Sequence, residues 1–343
     1  VGKSLIQIEP PDIANIMQKY RVWITCIFLF LSFYPLVSVE NKWESNLNSF
    51  FTEEKITYLE QLRFYTYLYA AQNQGVNQGE AVQNIITKRL VKYFFPDFSD
   101  FPSFSYTYIA QHRAEKILNP FLTRIKAEDK SEKKFKSKCW LKQIPKPIAQ
   151  VAHWKSWTSP LPMPPAPLSL KDEEGWKEQF KQLRKMQFKM TEQQYEKMSE
   201  WIGFRGFFGH WRELANEYME EHDIPQNKIY FIRACLMKGM YDGIIAEMTA
   251  KYTYCIPRPY MMDPTFKPLT VEIQSPSYPS GHAIQGSIFA TIMSYFFPEN
   301  KANWERIEKE SGEVRLWAGM HFPEDVVQGH KLGRAIADKI LEH

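Results

Sequence analysis

An apolar stripe along residues 227–252 constrains the fold more than any other feature of the chain. Ile229, Ile232, Leu236, Met240 and Ile244 recur at the three- and four-residue spacing that lines one face of an α-helix. A stripe of that length needs other helices packed along it. The rest of the sequence supplies them. Leu59, Leu62, Phe64, Tyr67 and Leu68 share the same spacing, and residues 80–94 continue it through Val82, Ile85, Ile86 and Leu90. Residues 106–118, 173–189, 191–201, 210–222 and 282–297 also carry helical patterns. Thr191, three residues before Gln194, suits a capping box. Strand-like alternation is scarce and there is no internal repeat. The pattern predicts an all-α helical bundle, and an aromatic content of 15% gives it large side chains with which to fill its core.

Between these helices, residues 144–167 are rich in tryptophan and proline, including Pro160, Pro162, Pro164 and Pro165. Such a stretch forms a rigid connection, and Trp154 and Trp157 within it fit a structural strap. The basic run from Arg124 to Lys142 is interrupted by Glu128, Asp129 and Glu132 and is expected to be a solvated surface linker. A net charge of +4 on 343 residues provides no global field for nucleic acid.

Near its beginning the chain has the grammar of a targeting segment. Lys19 and Arg21 precede the apolar run Val22–Val39, which polar residues then close. The expectation is a signal peptide or single anchor over residues 1–39, with Met17 as the true start and an exported body. No later stretch has the length and apolarity of a membrane span. Residues 40–150 then form an N-terminal helical region and residues 151–343 a catalytic region. Outside the targeting segment the cysteines are Cys139, Cys235 and Cys255, which allow one disulfide at most. No cysteine–histidine spacing matches a zinc site.

Three short runs in the last third carry the chemistry. The first ends the long stripe: Lys251 is followed by Arg258 and Pro259, and the prolines extend the chain so that both cations can reach one pocket. Lysine offers a point charge and arginine a planar fork suited to two oxygens of one oxyanion. The second is Pro279-Ser280-Gly281-His282, a turn opening onto a helix whose N-terminal N–H groups attract an anion. Ser280 can donate a hydroxyl hydrogen bond, the Gly281 N–H can serve as an oxyanion donor, and His282 can act as a general acid. The third run holds Arg315, His321 and Asp325. Asp325, four residues beyond His321, can bond one imidazole nitrogen and leave the other nucleophilic. Taken singly, each pair is as ordinary as a surface cation pair, a helix start or a buried histidine. Together they make an oxyanion site.

These runs resemble the phosphatidic acid phosphatase type 2 and vanadium-dependent haloperoxidase superfamily, whose pattern is K-x6-R-P, P-S-G-H and S-R-x5-H-x3-D. The first two match in full, and in the third Val314 stands in place of serine. Gly209-His210-Trp211 and Trp317-Ala-Gly-Met-His321-Phe-Pro are similar to the soluble haloperoxidase-like branch. The resemblance implies the following roles. Lys251, Arg258, Arg315, Ser280 and the Gly281 N–H bind phosphate or vanadate. His321 attacks phosphorus or coordinates vanadium, Asp325 orients it, and His282 handles the leaving-group proton.

Two reactions follow from the resemblance. One is hydrolysis of phosphate monoesters, without a cofactor. The other is halide oxidation by peroxide with vanadate as cofactor. Chloride-oxidising members carry an aromatic residue three positions before the lysine, where this chain has Met248, and the gap from His282 to Arg315 is short. Both points favour the phosphatase. A secreted, non-catalytic anion-binding protein is the third reading. It would require loss of a key group, and none is missing.

Overall fold

A computed structural model of the chain describes residues 42–101, 105–135, 137, 139–140, 144–203 and 208–342. The expected targeting segment, residues 1–39, and the expected start at Met17 lie outside the described residues. The chain divides into two units, residues 1–49 and residues 50–343. What is described of the first is the opening of helix α1 (Lys42–Glu53).

The second unit is helical, as the patterns predict, and no strand occurs among the described residues. Its helices are α2 (Tyr58–Gln74), α3 (Glu80–Phe94), α4 (Tyr108–Asp129), α5 (Lys146–Val151), α6 (Glu173–Phe188), α7 (Glu192–Gly203) and α8 (Phe208–Glu221). They continue with α9 (Gln226–Tyr254), α10 (Pro259–Met262), α11 (Gly281–Phe296), α12 (Lys301–Trp317) and α13 (Pro323–Leu341). Helices from both sides of residue 150 share this unit. No helix among the described residues is long and apolar enough to cross a membrane.

Local chemistry sets the ends of several helices. Thr57 and Glu60 form a reciprocal capping box at α2, with the Glu60 N–H bonded to the Thr57 hydroxyl at 3.3 Å and the Thr57 N–H to the Glu60 carboxylate at 2.9 Å. Thr191 and Gln194 make the expected pair before α7, at 2.9 and 3.2 Å. Helix α9 occupies the centre. Its predicted stripe is buried, and so are Cys235, Met237, Tyr241, Ala246 and Met248 on its other faces. A helix that is apolar nearly all round belongs in a core. Accordingly α9 packs against both α2 and α11, while α11 packs in turn against α12 and α13.

Aromatic contacts hold α8 and α12 onto α11. Trp211 lies 5.0 Å and Trp304 5.5 Å from the Phe289 ring, and all three are buried. Each such pair contributes roughly 0.5–1.5 kcal/mol beyond the area it buries. Close approach brings α13 onto α11: a Cβ on Gly333 would stand 2.3 Å from the Ile284 carbonyl oxygen. Any side chain there would separate the two helices whose N-termini build the site.

Two expectations need correction. The helix expected over residues 106–118 runs on through Pro120 to Asp129. Proline costs that helix one N–H, but Phe121 and Ile125 beyond it are buried and hold the continuation in place. The basic run is therefore helical at its start rather than a solvated linker. Glu128, inside it, is 3% exposed and accepts from the Tyr67 and Tyr241 hydroxyls, the Arg63 guanidinium and the Lys155 N–H. A charge that is paired across helices leaves no mark in the local pattern.

The strap after α5 is fastened along its length. Asp242 on α9 accepts from Trp157 N–H, Thr158 N–H and the Thr158 hydroxyl at 2.7–2.9 Å. Trp154 stacks on Tyr241 at 4.5 Å, and Arg124 lies 3.9 Å from the Trp157 ring centroid. Further along, the hydroxyls of Tyr254 and Tyr278 donate to the carbonyls of Pro164 and Pro165.

Candidate active site

The last turn of α9 carries Lys251 into the interior, where it is 2% exposed. Its ammonium donates to the carbonyls of Pro276, Ser277 and Pro279 at 2.8, 2.9 and 2.8 Å. An ammonium has three N–H donors, and all three are engaged. Lys251 thus contributes its charge to the site and folds the loop that leads into α11. Glu247, one turn earlier, lies 3.7 Å from the same ammonium.

Cys255 ends α9 in the left-handed region (φ 54°), and its N–H bonds to the Lys251 carbonyl at 2.9 Å. A disulfide joins it to Cys139, and Cys235 is free and buried. The reversal at Cys255 lets the chain return Arg258 to the interior. The Arg258 guanidinium donates to the Ser275 carbonyl (2.9 Å), the Ser275 hydroxyl (3.1 Å) and the Met320 carbonyl (2.8 Å). One of its terminal nitrogens also lies 3.0 Å from Nε2 of His321.

Ser280 is the residue at the N-terminal cap of α11, but its side chain does not cap the helix. Its backbone N–H bonds instead to the Asp325 carbonyl at 3.0 Å, which ties the start of α11 to the start of α13. The Ser280 hydroxyl is buried and makes no hydrogen bond among the described residues. Gly281 follows, packed so tightly that a Cβ there would stand 2.4 Å from a carboxylate oxygen of Glu247. His282 is half-buried at the next position.

Arg315, in the last turn of α12, is 7% exposed, and its Nε makes no hydrogen bond among the described residues. His321 and Asp325 flank the start of α13. Nδ1 of His321 lies 3.3 Å from Oδ2 of Asp325 and 3.4 Å from the Ser277 hydroxyl. Asp325 also accepts the Ser277 hydroxyl at 2.5 Å and the Phe322 N–H at 2.9 Å. This network assigns the imidazole proton to Nδ1, facing the carboxylate, and leaves the Nε2 lone pair towards Arg258.

Burial dominates the electrostatics. Removal from water pushes the Lys251 ammonium down to about 7, against the pull of Glu247, and Arg315 down to about 9, with Arg258 pushing the same way. His321 and His282 are held well below the usual histidine value, first by burial and then by the surrounding cations, so both are neutral. Burial also raises Asp325 to about 6, opposed by the Ser277 and Phe322 hydrogen bonds. Two buried carboxylates, Glu247 and Asp325, therefore face three buried cations, Lys251, Arg258 and Arg315.

All eight residues singled out in the sequence meet in this one cluster through these contacts and fields. Three participants had no sequence signal. Ser277 braces Asp325, Ser275 braces Arg258, and Glu247 lies against Gly281. The sequence marks the Gly281 N–H as an oxyanion donor but gives no sign of the carboxylate packed against it. A separate surface depression is lined by Ala166, Pro167, Glu178, Gln179 and Glu324; its carboxylates make it unsuited to an anion.

Comparison with known proteins bears out the resemblance carried by the three runs. Residues 233–338 match the model of the PAP2 superfamily. The non-specific acid phosphatase of Salmonella typhimurium is 32% identical over 95 residues, a stretch covering 26% of this chain and 38% of that protein. The match therefore spans well under half of that relative. A bacterial vanadium-dependent iodoperoxidase superposes with a TM-score of 0.64 over 85% of this chain and 92% of its own, at 14% identity. A holo-type bacterial vanadium-dependent chloroperoxidase gives 0.61 over 82% and 90%, at 10% identity. The fold is the helical fold of these proteins, and all three runs lie within the segment that matches the PAP2 superfamily model.

Proposed function

We propose that the chain is a PAP2-superfamily phosphatase that hydrolyses phosphate monoesters through a phosphohistidine. The observation that supports this reading best is a pair of unsatisfied donors. Among the described residues, the Ser280 hydroxyl and Arg315 Nε are buried without hydrogen-bond partners inside a cluster of three cations. Buried donors are nearly always bonded, so two orphans beside excess positive charge call for an anionic acceptor. The local likeness to an acid phosphatase supports the same reaction.

In this reading Arg258, Arg315, Ser280 and the Gly281 N–H hold the non-bridging phosphate oxygens. Lys251 adds charge while its donors remain on the loop carbonyls. Nε2 of His321 attacks phosphorus, and the bond to the ester oxygen breaks with its electron pair leaving on that oxygen. Asp325 holds the Nδ1 proton and stabilises the charge that the ring acquires. His282 gives the leaving oxygen a proton and then takes one from the water that cleaves the phosphohistidine. It is neutral in the ligand-free protein, first through burial and then through the cations, and an arriving phosphate offsets the cations and favours its protonation.

Vanadate has the same shape and charge as phosphate, and the same donors fit it, with His321 Nε2 as the coordinating nitrogen. When bound, it would supply peroxide activation for halide oxidation, the second reading. Assays on purified protein decide between the two. Hydrolysis of p-nitrophenyl phosphate, inhibited by vanadate and without halide oxidation, is the expected result. Bromide or chloride oxidation that requires vanadate and peroxide, without phosphate release, would overturn it. Export from the cytoplasm is part of the proposal, and the Cys139–Cys255 disulfide supports it, since such bonds persist in oxidising compartments.

A further inference from the structure

Glu247 is the one acid of the cluster that neither the three runs nor the proposed chemistry uses. It is 6% exposed and sits one helical turn before Lys251, 3.7 Å from its ammonium. Its carboxylate also fills the space where a side chain on Gly281 would project, with 2.4 Å between Oε1 and an added Cβ. A carboxylate therefore lies against the helix N-terminus that is offered to an oxyanion, where it competes for the positive end of the dipole and repels a second negative charge.

We propose that Glu247 sets the charge of the oxyanion the site accepts, making it selective for a singly charged, protonated group over a doubly charged one; this rests on the oxyanion-binding reading above. With Lys251 protonated and Glu247 and Asp325 ionised, the two carboxylates leave the three cations a net charge of one. That balance suits a monoanion. A dianion is accommodated only when a proton arrives with it, either on the ligand or on Glu247. The groups that act on Glu247 are Lys251 and Tyr252 from its own helix, Arg258 from the segment that follows, Arg315 from α12 and Tyr58 from α2. Burial raises its affinity for a proton and the three cations lower it, so an arriving dianion, which offsets those cations, pushes this carboxyl further towards its protonated form. A merely structural carboxylate would give the site no such dependence on ligand charge.

The test is calorimetric titration of the full chain with inorganic phosphate and with sulfate, at about pH 6 and about pH 8. Sulfate stays doubly charged throughout, whereas phosphate gains its second charge across this interval. The wild-type protein is expected to bind phosphate at least roughly tenfold tighter than sulfate at the lower pH and to lose that advantage at the higher. Glu247→Gln removes the charge at nearly constant shape. It is expected to bind sulfate roughly tenfold or more tighter than wild type and to lose the pH dependence of the phosphate-to-sulfate ratio, a ratio that cancels the change in Lys251 charge over the same interval. Glu247→Asp keeps the charge and should retain the wild-type preference. Equal affinity of wild type for the two anions at the lower pH overturns the proposal without any variant. So does a folded Glu247→Gln protein with wild-type affinities throughout. Failure of wild type and Glu247→Gln alike to bind either anion would sink the oxyanion-binding reading itself, and the proposal with it. Binding by Glu247→Gln alone would leave the oxyanion-binding reading standing and overturn the proposal, because the wild-type site would then accept no singly charged anion either.

Discussion

Nδ1 of His321 lies 3.3 Å from Oδ2 of Asp325, and both side chains are buried. The pair fixes which imidazole nitrogen carries the proton, so the other faces the cations as a lone pair. His321→Ala is therefore expected to abolish phosphate release. Asp325→Asn should keep the fold but lower kcat roughly 10–100-fold, as loss of an orienting partner does. Steady-state rates on p-nitrophenyl phosphate check both; near-normal turnover in a folded His321→Ala protein would refute the assignment of the nucleophile.

Ser277 gives a pH signature. Asp325 sits near 6 because burial raises it while the Ser277 hydroxyl and the Phe322 N–H pull it down. Its orienting role needs the ionised form, so activity is present above that value and lost as pH falls through it. Ser277→Ala removes a stabilising donor, raises the carboxyl further and moves the acid limb of the kcat profile to higher pH. Stability runs the other way. A carboxyl whose folded value exceeds its unfolded value of about 4 costs stability as pH rises from about 4 to about 6. A rate profile that does not move on Ser277→Ala would remove Ser277 from the network.

The helices were legible because each buries a periodic face, and the capping box at Thr191 and Gln194 could be read letter by letter. The course of α4 beyond Pro120 could not, since Phe121 and Ile125 hold it there by tertiary burial that outweighs the local break. The site divides in the same way. Its cations, histidines and Asp325 stand at fixed spacings, because one chain must deliver them to one point. Ser275 and Ser277 lie in a proline-broken loop with no period, and their partners are 17 and 48 residues away. Glu247 looks like any helical acid until the approach of α11 gives it a neighbour. Nor does the motif show that all three Lys251 donors go to carbonyls.

Lys251 and Arg315 should respond to substitution in opposite ways. Lys251→Met strands three buried carbonyls and takes from Glu247 the cation 3.7 Å away, a change expected to cost about 3–5 kcal/mol. Arg315→Met removes a buried cation whose Nε makes no hydrogen bond among the described residues, so the ligand-free protein should lose little stability while its affinity for phosphate collapses. Denaturant titrations paired with phosphate binding measure both effects. Equal destabilisation by the two substitutions would mean that Arg315 is a structural cation.

The Cys139–Cys255 disulfide closes a sequence separation of 116 residues at the corner where α9 turns between Lys251 and Arg258. Cross-linking across a loop of that size restricts the unfolded chain and typically stabilises by roughly 2–5 kcal/mol. Cys139→Ser should therefore lower the unfolding midpoint by a corresponding amount. It should also raise KM, because the Cys255 corner positions Arg258. Cys235 is buried and unpaired, so Cys235→Ala serves as the comparison: it removes a sulfur from the core without touching the corner. Reductant should reproduce the Cys139→Ser effect in the wild-type protein and have no further effect in the variant. A wild-type midpoint insensitive to reductant under conditions that fully reduce the bond would show that packing around Cys255 alone holds the corner.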